Sequence, residues 1–192
     1  MELFESYYDQ ICKGRFFESF EILKLKDEYN HLSLAHEQVK RGWKTDKPRI
    51  LKIRDRSNMS VAHYQAERGW TTEDSKLLQL RVPISLRTLA HFQVTANCLK
   101  AKVEYKPGKH CREVTREKWF TEEPKILTLV DYAGWSVAHL QAIWGWTTED
   151  PEILFIENIF GDSVAYLQMQ RGWRPTSPTI KRRLFVKQLT RN

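Results

Sequence analysis

Apolar and polar residues along the chain follow a pattern that returns about every 27 residues. The segment SVAHYQAERGWTTEDSKLL around Ala62 reappears as SVAHLQAIWGWTTEDPEIL around Ala138, and six copies of this template cover the chain. The intervals from Ala35 to Ala62 and from Ala138 to Ala165 are 27 residues, whereas Ala90 and Ala138 are 48 apart, so about 20 residues are inserted there. A fixed period of this length is the signature of a repeat protein, in which each repeat buries its apolar face against its neighbours.

Each repeat carries signals for two helices joined by a turn. A hydroxyl residue such as Ser60 is placed to cap the first helix, and glycine, or Asn97 in the third full repeat, is placed to end it. A second, short helix begins with a cap and a proline, as at Asp150-Pro151. We therefore predict an all-α solenoid of six helix-turn-helix repeats. The alternative is an α/β solenoid like that of leucine-rich repeats, with strands in the second halves.

Three side chains recur at fixed places in the repeats. Histidine follows alanine in four copies, glutamine stands two residues after that position, and tryptophan follows the closing glycine. The tryptophans could stack bases, but their position after a helix end favours packing between consecutive helices. The side chains in question are His36, His63, His91 and His139; Gln38, Gln65, Gln93, Gln141 and Gln168; and Trp43, Trp70, Trp119, Trp146 and Trp173.

The first half of the repeat resembles an ankyrin repeat. The residues that match its spacing are Asp131, Gly134, Ser136, Ala138-His139, Ala142 and Gly145. The resemblance implies protein–protein binding on a concave face, with no catalysis and no cofactor. It also implies a structural role for the histidines, which would bond to their own loop and to the neighbouring one. Ankyrin repeats are about 33 residues long, so the β-hairpin fingers of that family are expected to be missing here.

The repeats are predicted to form a single domain. Tyr7-Tyr8 replaces the Ala-His pair near the N-terminus, which indicates a degenerate capping repeat, and the last helix can turn apolar residues inward and basic residues to water. The predicted organisation of residues 1–192 is an N-terminal cap (1–26), repeats (27–97 and 118–176), an inserted β-hairpin (98–117) and a C-terminal capping helix (177–192).

Two tryptophans depart from the repeat pattern and indicate a binding surface. In ankyrin-like geometry, the positions of Trp135 and Trp144 belong to the concave face, and exposed aromatic clusters are typical of binding sites. The alternative is that this patch packs against the insertion or a second copy of the chain. The predicted partner-binding residues are Tyr132, Trp135, Ile143, Trp144, Ile159 and Phe160 at an aromatic end, with Arg56 and Arg68 at a charged end.

The excess positive charge of the chain is concentrated in two segments. The net charge is +7; the insertion carries six Lys/Arg against three acids, and residues 171–192 carry seven Lys/Arg and no acid. This distribution is typical of a nucleic-acid contact, and equally of a solvated loop and a basic cap. The nucleic-acid candidates are Lys100, Lys102, Lys106, Lys109, Arg112, Lys181, Arg182 and Arg183.

Composition narrows the class of protein further. The chain is 41% hydrophobic with three cysteines and no CxxC pair, and neither a signal peptide nor a membrane span is apparent, so a soluble, cytoplasmic protein is expected. No metal or cofactor is predicted. The leading hypothesis is a non-catalytic adaptor or inhibitor that binds a protein, such as a phage or bacterial inhibitor of a larger machine, although no residue points to that example. Nucleic-acid or nucleoprotein binding is the second. Chemistry at Cys98, His110 or Cys111 is the third.

Overall fold

The computed structural model describes residues 2–99, 102–104, 113–115 and 119–189. The chain divides into two compact bodies, the N-terminal body (residues 1–119) and the C-terminal body (residues 120–192). In both bodies, a helix of seven or more residues alternates with a second helix, and the predicted helical repeat architecture is confirmed.

The described residues contain twelve helices. The first helices of the repeats are α1 (Glu2–Cys12), α3 (Leu34–Lys40), α5 (Val61–Glu67), α7 (Leu89–Leu99), α9 (Val137–Ile143) and α11 (Val164–Gln170). The second helices are single turns: α2 (Phe20–Leu23), α4 (Pro48–Leu51), α6 (Ser75–Leu78), α8 (Pro124–Leu127) and α10 (Pro151–Leu154). The chain ends its described part in α12 (Pro178–Leu189). None of these helices is both long and apolar enough to cross a bilayer.

Local sequence explains where these helices begin. Proline occupies the first turn of α4, α8 and α10, where its missing N–H costs no hydrogen bond. The carboxylates of Asp74 and Asp150 cap α6 and α10 by accepting backbone N–H groups of the first turn. The second halves of these repeats are therefore helical, and the leucine-rich alternative with strands in those segments is wrong.

The core of each body lies between successive helix pairs. In the N-terminal body, α1 packs on α3, α3 on α5 and α5 on α7; in the C-terminal body, α9 packs on α11. The alanines Ala62 and Ala138 are fully buried, which lets neighbouring helices approach closely. Ile180 of α12 is buried against Leu154 and Ala165, with Leu184 packed beside it, so α12 covers apolar residues of the preceding repeat.

The inserted segment is described only in part. Strands β1 (Lys102–Glu104) and β2 (Glu113–Thr115) pair antiparallel with Val103 opposite Val114. The residues that would join them lie outside the described residues, so the hairpin as a whole stays a prediction. Helix α7 runs through Leu99, so the predicted end of this helix at Asn97 is wrong.

Candidate protein-binding surface

Short loops connect each second helix to the first helix of the next repeat. Five of them are closed by a single antiparallel bridge between backbone positions, from Lys26–Ser33 to Glu157–Ser163. These five loops contain no β-strands, and a single bridge in each is all that corresponds to a β-hairpin finger. An Asp or Asn organises four of these loops by accepting backbone N–H groups, namely Asp27, Asp55, Asp131 and Asn158.

Two of these loops lie side by side in the C-terminal body. The Ile159 N–H donates to the carbonyl oxygen of Ala133 at 3.2 Å, which ties loop 158–163 to loop 131–136. Gly134 adopts φ +73°, and a Cβ atom built on it would lie 3.2 Å from the Asn158 Cα. Only glycine allows both this left-handed backbone and this close approach. The two loop tips are therefore held in fixed register.

The tips of this loop pair expose three large apolar side chains. Tyr132 is 71% exposed, Ile159 68% and Phe160 69%. They belong to the predicted partner-binding residues. We call these three side chains the tip surface. They lie at the tips of two loops that a backbone hydrogen bond joins, so the structure places them on neighbouring loops.

The other aromatic candidates are less accessible. Trp135 and Trp144 are both half-buried, as is Ile143, the last residue of α9. The Trp135 ring contacts the His139 ring edge-on, with 5.7 Å between ring centroids. Trp144 stands directly after α9 as its C-cap. These residues support the loops and the helix end as much as they face water, and their role in binding stays a prediction.

The two predicted arginines lie in the N-terminal body and are exposed. The Arg56 guanidinium donates to the Tyr29 carbonyl at 3.3 Å, so this side chain spans two loops.

Loop tips of this body also expose apolar residues that sequence reasoning did not select: Tyr29 is 80% and Ile84 86% exposed. Leu86, two residues after Ile84, has a φ of 54°. This left-handed conformation costs a residue other than glycine about 1–2 kcal/mol. The sequence did contain a signal for the exposed Ile84. In Pro83-Ile84, the isoleucine occupies the loop position that Arg56 holds in the preceding repeat.

The nucleic-acid candidates are only partly described. Lys181, Arg182 and Arg183 are exposed on α12. The Arg183 guanidinium lies 3.9 Å from the ring centroid of Phe155, so one of the three packs on an aromatic face. Lys102 is on β1. The remaining four, Lys100, Lys106, Lys109 and Arg112, lie outside the described residues, as do Cys111 and His110.

The repeat histidines hold consecutive loops together. The Ser60 N–H donates to Nδ1 of His63 at 3.1 Å, and Nε2 of His63 lies 3.2 Å from the carbonyl oxygen of Leu80 in the next loop. A backbone N–H only donates, so Nδ1 is the acceptor and the ring is neutral, with its proton on Nε2. Burial lowers the pKa of His63 and of His36 to about 4, and it also lowers the pKa of His139.

The repeat glutamines bind in the opposite direction along the chain. The Gln65 amide accepts from the Thr45 N–H at 2.7 Å and donates to the Thr45 carbonyl at 3.0 Å, so it satisfies both backbone groups of a residue in the preceding repeat. The same pair of bonds joins Gln38 to Phe17 and Gln141 to Thr121. The sequence showed that these glutamines recur, but not what they bind.

The repeat tryptophans also have structural roles. Trp119 and Trp146 are 8% and 5% exposed, and each donates its indole N–H to a glutamate at 2.7 Å, Glu73 and Glu122 respectively. Both indole rings are therefore buried and hydrogen-bonded, which agrees with a packing role for these two tryptophans. Among the described residues, no group of three or more His, Cys, Asp or Glu side chains is arranged to hold a metal ion.

Comparisons with known proteins found similarity to the chain among solved structures. No family model and no curated protein matches it. Among solved structures, the ankyrin repeat domain of Bcl-3, described as a unique member of the IkappaB protein family, is similar over 84% of this chain and 86% of that one. The identity is 12% and the TM-score 0.32, so the ankyrin-like character rests on the repeats' own hydrogen bonds and helix pairs.

Proposed function

We propose that the chain is a non-catalytic adaptor or inhibitor that binds a protein partner through the tip surface of its C-terminal body. The observation that carries this proposal is the exposure of Tyr132, Ile159 and Phe160, each about 70% accessible, on two loops fixed to each other. Soluble proteins rarely leave large apolar side chains clustered in water unless they are used for contact.

The construction of the loops supports the same role. Asp131 accepts the N–H groups of Ala133 and Trp135, and Asn158 accepts those of Phe160 and Asp162, all at 2.9–3.0 Å. The tips are therefore preorganised by their own side chains. A rigid surface loses little conformational entropy on binding, which favours affinity.

The test is binding of a purified partner, identified by pull-down from the organism that encodes the chain. In a Tyr132→Ala/Phe160→Ala variant, the dissociation constant is expected to rise at least thirtyfold, because truncating even one buried aromatic anchor costs about 2 kcal/mol or more. Both side chains are exposed, so the melting temperature should hardly change.

A matched variant gives the control. Tyr29→Ala/Ile84→Ala removes two equally exposed side chains from loop tips of the N-terminal body and should leave the dissociation constant within about threefold. If instead the control variant loses the partner and the tip-surface variant keeps it, binding belongs to the N-terminal body and the proposed surface is wrong.

Nucleic-acid or nucleoprotein binding through Lys181, Arg182 and Arg183 remains a prediction from charge. A gel-shift titration at several salt concentrations tests it, since phosphate contacts give an affinity that falls steeply with salt. No shift at micromolar protein would remove this alternative and leave the tip-surface proposal untouched.

A further inference from the structure

We infer that the tip surface binds a protein segment that presents arginine next to an apolar side chain. The inference rests on the proposed function and adds the chemistry of the partner. It comes from the charges that the two loops carry and from the order in which aromatic and acidic residues follow one another along them.

The loops that carry the tip surface are acidic. Residues 130–136 and 157–163 contain Asp131, Glu157 and Asp162 and no lysine or arginine. These two loops carry a net charge of −3, whereas the seven Lys/Arg of residues 171–192 more than balance the remaining acids of the C-terminal body. Within the described part of the chain, neither Asp131 nor Asp162 forms an ion pair with lysine or arginine. The local negative charge of the loops favours a cationic segment over phosphate.

The aromatic rings select arginine among the cations. Tyr132 follows Asp131 directly, and Phe160 stands two residues before Asp162, so each exposed ring has a carboxylate within two residues along its loop. A guanidinium can stack on a ring face and donate its edge N–H groups to a carboxylate at the same time, whereas an ammonium is a compact, strongly hydrated point charge. The chain already uses such stacking elsewhere, where Arg183 lies 3.9 Å from the Phe155 ring centroid.

Exposed Ile159 accounts for the apolar part of the partner. It lies between Glu157 and Phe160 in the sequence, and its uncharged, aliphatic side chain is suited only to an apolar group of the partner. The loops of the N-terminal body make the contrast: residues 26–33, 54–60 and 81–88 carry five Lys/Arg against three acids. Taken together, these three loops are basic, whereas the two loops that carry the tip surface are acidic. The exposed apolar residues of the N-terminal loops therefore favour a partner of different charge.

The experiment is selection of a random-peptide phage library on the full chain, with counter-selection on the Tyr132→Ala/Phe160→Ala variant. Enriched peptides are expected to contain arginine beside an apolar residue. Replacing that arginine by alanine should weaken binding about tenfold and replacing it by lysine about threefold, as measured by fluorescence anisotropy of the synthetic peptides.

Two neutralised variants locate the charge effect. Asp162→Asn should weaken the same peptides about two- to fivefold, because one partly exposed ion pair is lost. Glu152→Gln, which neutralises an exposed carboxylate on α10 of the same body, should leave the affinity unchanged.

The outcomes separate this inference from the proposed function. Peptides that require Tyr132 and Phe160 but lack arginine, or bind equally after its replacement by lysine, would overturn the inference and leave the proposed surface standing. Peptides that bind the Tyr132→Ala/Phe160→Ala variant as well as the native chain would count against both. A library that yields no binder would also overturn the inference.

Discussion

Lowering the pH should reduce the free energy of unfolding through the buried histidines, and His63 offers a direct test. Its Nδ1 accepts the Ser60 N–H at 3.1 Å, and the Ser60 hydroxyl oxygen lies 2.7 Å away. A proton on Nδ1 would remove that acceptor and place a charge in a fully buried position. Burial therefore lowers the pKa of His63 to about 4 from its ordinary 6.5, and the same holds for His36.

The size of the effect follows from these values. Because the folded-state pKa is below that of the unfolded chain, the stabilisation is complete above pH 6.5 and is lost as the pH falls from 6.5 towards 4. At pH 5, the unfolded chain has taken up the proton and the folded chain has not, which costs about 2 kcal/mol per histidine relative to pH 7. His36 and His63 together lower the free energy of unfolding by about 4 kcal/mol.

Urea unfolding followed by circular dichroism, at pH 7 and pH 5, measures this directly. A His63→Gln variant keeps an amide that can accept and donate but has nothing to titrate, so its loss of stability between the two pH values should be about 2 kcal/mol smaller than that of the native chain. Glu67, whose pKa is raised by burial, titrates in both proteins and cancels in the comparison. Equal losses in variant and native chain would refute the assignment of a neutral, buried His63.

Three further changes test the contacts within and between repeats by their effect on the free energy of unfolding. Gln65→Ala leaves both backbone groups of Thr45 without their partners and should cost about 2–3 kcal/mol in urea unfolding. Gly134→Ala should cost about 2–3 kcal/mol, from its left-handed backbone and its contact with loop 158–163, whereas Gly172→Ala, with φ +91° in open space, should cost only about 1–2 kcal/mol. Asp74→Ala removes the cap of α6 and should lower stability by about 1 kcal/mol, and equal stability of variant and native chain would show that the cap contributes nothing.

Sequence reasoning was most successful where one residue type has one local role. Ser60 before an apolar stretch and Pro151 after Asp150 each fix a helix start, and α5 and α10 begin where these residues predict. It failed at Asn97, because a residue that tolerates the left-handed conformation need not adopt it, and α7 continues to Leu99. It also did not predict the single bridge that closes each loop. The shortening of the repeat to 27 residues falls on the second helix, which is one turn long.

The candidate surface shows a different limit. Tyr132, Ile159 and Phe160 are exposed at loop tips, which their position beside turn residues suggested. Trp135 and Trp144 came from the same reasoning and are half-buried, because large rings at such positions also cover neighbouring side chains. A sequence pattern assigns a residue to a face, but the exposed fraction depends on neighbours that differ from repeat to repeat.

The two sets of hydrogen bonds between repeats have a consequence for how such a chain can change in evolution. His63 reaches forward to Leu80 and Gln65 reaches back to Thr45, so an internal repeat presents a matching donor and acceptor at both of its junctions. A duplication or deletion of one whole repeat rejoins equivalent junctions, so each amide and imidazole again meets a backbone group of the adjoining repeat. A cut within a repeat removes one of these partners and leaves a buried polar group unsatisfied. The architecture therefore tolerates a change in the number of repeats better than the loss of part of one.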